Sequence, residues 1–125
     1  MERLMQNPAE LKATFDANGY VVVPDLLTPA ELREMRQMVD QLLDGTLKPQ
    51  SPNLRDAMDD FDIQWEPAIR DDATIARRDK VRVAFHLCHT HSFFWKHATR
   101  PRLLEVVTAL LGPDVNLYTD QMFMK

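Results

Sequence analysis

Three imidazoles and a thiol fall within six residues at His86-Leu87-Cys88-His89-Thr90-His91, the densest set of metal-binding and nucleophilic side chains in the sequence. A structural zinc site built from them needs a second ligand group at a distance, such as Cys-x-x-Cys, and the sequence has none. If a strand runs through the segment, alternation puts His86 and Cys88 on one face and His89 on the other, which splits the ligands. Packing and capping account for these residues better than a metal does. Cys88 as a nucleophile would need a base and an orienting third group; His86 or His89 has the right chemistry, but sequence carries no geometry. Asp56, Asp59, Asp60 and Asp62 lack the alternating ligands, glycine and closing glutamate of an EF-hand loop, so a solvated loop is expected there. Arg82 lies beside Lys80 on the polar side of an alternating stretch and faces either solvent or an anion, its fork being suited to a carboxylate.

A second pattern closes the chain. From Val115 the period is two: Val115, Leu117, Thr119, Gln121, Phe123 and Lys125 share one face. That face begins apolar and ends in an amide, an aromatic ring and an amine. Such a gradient suits a strand running from a core into a polar pocket. The strand is expected to border an active site whose remaining walls lie beyond residue 125.

The elements that must position these residues are legible in part. Asn7-Pro8-Ala9-Glu10 opens a helix that Asn18-Gly19 closes. Residues 20–23 (YVVV), ended by Pro24, read as a strand buried on both faces. Thr28-Pro29-Ala30-Glu31 is a capping box, followed by Leu32, Met35, Met38, Val39, Leu42 and Leu43 at helical spacing until Asp44-Gly45. Residues 46–78 show no sustained period and read as a long irregular loop: either a lid, with Phe61 and Trp65 facing substrate, or a surface excursion pinned by Trp65. Residues 79–87 (DKVRVAFHL) alternate, with Val81, Val83 and Phe85 opposite Lys80, Arg82, Ala84 and His86. A short helix is expected from Thr90, and another from Thr99 or Arg100 to Gly112-Pro113. Three short strands cannot cover this much apolar surface, so further strands are expected outside the segment.

The chain of 125 residues is one domain or part of one. A net charge of −4 argues against nucleic acid as partner. One cysteine forbids an internal disulfide and fits a reducing compartment. The first residues lack the apolar core of a signal or membrane anchor, so a cytoplasmic protein is expected.

Order and spacing of several segments carry a resemblance. They are Phe15-x-x-x-Gly19-Tyr20-Val21-Val22-Val23-Pro24, the capped helix 28–43, Pro101-x-Leu103-Leu104, Leu111-Gly112-Pro113-Asp114-Val115 and Asp120-Gln121-Met122-Phe123-Met124-Lys125. The chain resembles the N-terminal part of the phytanoyl-CoA dioxygenase family of iron(II)- and 2-oxoglutarate-dependent oxygenases. The resemblance implies an α+β fold: N-terminal helices and the first strands of a double-stranded β-helix, or jelly roll, with the barrel incomplete in this chain. It also implies hydroxylation of a small organic substrate, with Fe(II) and 2-oxoglutarate as cofactors of the complete protein. The family's iron ligands, a His-x-Asp pair and a distant His, have no counterpart here. The segment alone is therefore expected to be inactive and to bind neither cofactor tightly. What the resemblance carries onto the chain is contact with 2-oxoglutarate, at Gln121, Arg82 and Lys125. The alternative is a non-catalytic α+β module that pairs, or self-associates, through an exposed sheet edge.

Overall fold

Proline at the first turn and a polar side chain just ahead of it set where the first two helices begin. The computed structural model describes residues 7–50 and 52–124. Helix α1 spans Pro8–Asn18; Asn7 Oδ1 accepts from the Ala9 N–H at 2.9 Å, and Gly19 in the left-handed region closes it. Helix α2 spans Pro29–Asp44 behind a complete capping box: Thr28 Oγ1 accepts from the Glu31 N–H at 3.2 Å, and Glu31 Oε2 accepts from the Thr28 N–H at 2.8 Å. Glu31 also receives the guanidinium groups of Arg100 and Arg102. The Thr28 N–H first, and then the two arginines, hold the Glu31 carboxyl below the usual carboxylate range. Those arginines flank the start of α6 (Pro101–Leu111), which packs against α1, so one carboxylate caps α2 and anchors α6.

The last turn of α2 has no basic residue of its own, and α3 (Arg77–Lys80) supplies the charge that its C-terminal dipole favours. Arg78 reaches Asp40 at 3.0 Å and Asp44 at 3.1 Å, while the Arg77 guanidinium lies against Gly45. Gly45 and Gly19 both have φ of 77°, but only at Gly45 would an added Cβ collide with something, 2.6 Å from Arg77 Nε. Gly19→Ala is therefore expected to destabilise by about 1 kcal/mol from backbone strain alone. Gly45→Ala should lose about 2 kcal/mol, because Arg77 must also leave its seat on Trp65. Urea unfolding of the two variants side by side checks the difference.

Strands β1 (Asp62–Trp65), β2 (Val81–Phe85) and β3 (Gln121–Phe123) form one antiparallel sheet in the order β1-β2-β3. Asp62, Ile63 and Gln64 oppose Phe85, Ala84 and Val83; Trp65 then meets Val81, which leaves Arg82 with no opposite residue on β1. On the far side Val83, Ala84 and Phe85 oppose Phe123, Met122 and Gln121. Paired residues share a face, so Ile63, Ala84 and Met122 line one side of the sheet. That side carries the core. Ala84 is 0% exposed and belongs to a cluster with Leu42 of α2, Leu87 and Cys88 of α4 (Leu87–Thr90), and Phe94 of α5 (Ser92–Ala98). The opposite side carries Gln64, Val83, Gln121 and Phe123; Val83 is buried, but Gln64, Gln121 and Phe123 are exposed, Phe123 by 65%. The architecture is α+β, an open three-stranded sheet whose Ala84 side packs against α2, α4 and α5.

Four expectations are corrected. Residues 20–23 form no strand: they have no regular structure, with Tyr20 67% and Val22 73% exposed, because no neighbouring strand among the described residues offers a ladder. Residues 46–78 are not wholly irregular, since they contain β1 and the start of α3; four residues with a register break gave too short an alternation to see. The strand expected at 79–87 is limited to β2, and its supposed polar face is half wrong, because Ala84 sits at the core. The strand expected from Val115 pairs only over β3, and Tyr118 before it is 96% exposed. Among the described residues no helix is long and apolar enough to cross a membrane.

Candidate functional site

The corner where β2 turns into α4 is fastened by one side chain that lies more than thirty residues further on. His86 ends β2 in the left-handed region at φ 56°, which is unfavourable for a residue with a Cβ and persists only where its surroundings enforce it. The His86 N–H donates to the Asp120 carbonyl at 3.0 Å. Asp120 Oδ2 then accepts from the Leu87 N–H at 2.7 Å and the Cys88 N–H at 3.3 Å, satisfying amides that the short helix leaves free. Thr90 Oγ1 closes the turn by donating to the His86 carbonyl at 2.8 Å. Asp120 immediately precedes Gln121, so the same clamp fixes the register of β3 and with it the side on which Gln121 stands.

The histidine cluster is dispersed by this corner. His86 Nε2 lies 4.0 Å from Asp62 Oδ2, and the His86 and His89 rings are 6.3 Å apart at nearly right angles. His91 caps α5, its Nδ1 accepting from the Phe93 N–H at 3.1 Å. Among the described residues no group of three His, Cys, Asp or Glu side chains converges to hold a metal ion. Two buried atoms in this neighbourhood, His89 Nδ1 and Asp120 Oδ1, have no hydrogen-bond partner among the described residues. Cys88 donates to the Phe94 carbonyl at 3.4 Å; burial first, and the adjacent Asp120 carboxylate second, push its thiol up to about 12. It stays protonated at neutral pH and is no nucleophile.

Burial lowers the pKa of His91, and burial together with the Arg100 charge lowers that of His97. A histidine whose folded pKa is depressed binds its proton more readily when unfolded. Its contribution to stability is complete above the ordinary pKa of about 6.5 and is lost as pH falls below it. The melting temperature is expected to fall from neutral pH towards about pH 5. His91→Asn, which keeps an N-cap and removes the titration, should flatten that slope in a series of thermal melts.

The residues singled out from sequence are only partly brought together. Gln121 stands exposed on the sheet side free of the core cluster, next to Phe123 and across from Phe85. Arg82 is exposed too, but its carbonyl accepts from the Met124 N–H at 3.0 Å, and alternation from Ala84 puts its side chain on the other face from Gln121. Lys125 lies outside the described residues. Phe61 is partly buried and packs against the core cluster. Trp65 is half-buried with the Arg77 guanidinium 4.7 Å from its ring centre. In the sequence Asp120 stands out only as the first residue of the closing segment Asp120–Lys125, directly before the amide at the start of a strand, and nothing local gives it the role of a clamp.

The segment 15–125 matches the family model described as phytanoyl-CoA dioxygenase (PhyH). The chain belongs to the phytanoyl-CoA dioxygenase family. Its function class is accordingly that of an oxygenase, and the fold of the phytanoyl-CoA dioxygenase family is a jelly roll, with which an α+β chain with an open three-stranded sheet is consistent. No curated relative and no solved structure matches the chain.

Proposed function

We propose that this chain forms one wall of an iron(II)- and 2-oxoglutarate-dependent dioxygenase that hydroxylates a small organic substrate. The observation that carries the reading is the placement of Gln121 in a member of this family: the Ala84 side of the sheet packs into the helical cluster, and on the other side β3 presents Gln121 beside Phe123, both exposed. A carboxamide donates N–H to a carboxylate and accepts through its oxygen, so Gln121 can orient a keto acid without adding charge. Phe123 next to it excludes water from one flank of that contact. Among the described residues no three candidate iron ligands converge. In this reading the metal is held by residues outside the described set, and this chain positions and shields the keto acid.

The test is whether the protein translated from its complete gene consumes 2-oxoglutarate. Turnover that rises on adding Fe(II) and stops on chelation supports the reading. Oxygen-dependent turnover of substrate that ignores both iron and 2-oxoglutarate ends it. A second reading, association through a sheet edge, draws on β3, which pairs with β2 alone among the described strands and leaves Phe123 exposed. Sedimentation velocity separates the two: a monomer at micromolar concentration removes the second.

A further inference from the structure

A cleft of about 310 Å³ lies at the β1–α3 corner, lined by Trp65, Arg70, Arg77 and Lys80. Three cations in one small space repel each other, and the chain around them is acidic overall, with a net charge of −4. Asp71 meets the Arg70 fork with both carboxylate oxygens, at 3.2 and 3.3 Å, but both side chains are solvent-exposed, where an ion pair is weak and can be exchanged for another anion. Asp72 accepts from the Thr74 N–H and hydroxyl at Oδ1; those two bonds hold its carboxyl low and so keep it anionic, and the Lys80 charge contributes least. Asp40 and Asp44 are taken by Arg78. Arg77 and Lys80 form no ion pair among the described residues. Arg77 is held instead between the Trp65 ring and the backbone of Gly45, which presents its fork in a fixed place.

We propose that this cleft is a binding site for a phosphate group carried on a small molecule. A dianion is the charge that three cations lining one cleft match, whereas one guanidinium fork suffices for a carboxylate. The volume is at the small end for ligand sites, which fits a phosphate with a short apolar attachment laid along the Trp65 indole. The site is at the opposite edge of the sheet from β3, so it is separate from the Gln121 wall and does not depend on the iron or 2-oxoglutarate reading.

The test uses the whole chain carrying Trp95→Phe, so that Trp65 is the sole emitter, titrated with inorganic phosphate at ionic strength balanced by chloride. The expected result is a saturable change in emission with phosphate and none with chloride. Arg70→Gln with Lys80→Gln should weaken binding at least tenfold while leaving the melting temperature unchanged. A change that chloride reproduces, or that survives the double substitution, or no saturable change at all, overturns the proposal. Succinate binding as tightly as phosphate would overturn the assignment to phosphate. Should Trp95→Phe fail to fold, calorimetric titration of the unaltered chain with the same three anions makes the same comparison.

Discussion

Asp120→Ala is expected to destabilise the fold by about 3 kcal/mol, through two amides at the head of α4 that lose their acceptor. The Leu87 and Cys88 N–H groups are partly buried, and α4 is too short for its own carbonyls to replace the carboxylate. The left-handed His86 would lose part of what enforces it. Asp120→Asn keeps an oxygen that can accept one of the two bonds, and should cost about 1 kcal/mol. The pair of variants separates the clamp from mere loss of volume, because asparagine is nearly isosteric. Urea unfolding gives both values. Equal losses for Ala and Asn would show that charge, and not the acceptor geometry, is what matters; no loss for either would remove the clamp.

Phe94→Ala should cost about 4 kcal/mol, the range for an aromatic deleted from a packed core. Its ring is buried against the same cluster as Ala84, Leu42 and Leu87, and meets Phe93 edge-on at 5.4 Å and His91 at 6.1 Å. Those edge-to-face contacts are lost along with the buried area. The site has little room to collapse, because Ala84 opposite is fully buried on a central strand paired on both sides. Phe94→Leu, which refills most of the space, should recover more than half of the loss. A value for Phe94→Ala below about 1 kcal/mol, read from chemical denaturation, would mean that the cluster is not a rigid core.

How much of this was legible in the sequence differs by element. The starts of α1 and α2 were readable because their signals are local: a side-chain oxygen, a proline and a glutamate within four residues determine each cap. Helix α6 was readable from its apolar stripe between Pro101 and Gly112. The strands were not, because pairing decides them and pairing is not local. YVVV has the composition of a strand but no partner, whereas DIQW has a partner and too few residues to show a period. The β2–α4 corner was misread for the same reason. Nothing within 86–91 announces that the strand stops at Phe85; the cause is a carboxylate at position 120. At the candidate site, the amide at Gln121 was visible as the end of an alternating face. That alternation also separates it from Arg82 became clear only once β2 and β3 were in register.

If Gln121, on the side of the sheet away from the Ala84 cluster, holds the keto acid, its removal must weaken that contact and little else. The measurement that bears on this most directly is the KM for 2-oxoglutarate of Gln121→Ala against the unaltered protein, both translated from the complete gene and saturated with Fe(II). KM is expected to rise about tenfold, the worth of one good hydrogen bond to a charged group, with kcat changed less than about twofold. An unchanged KM would contradict the assignment of Gln121 to the keto acid.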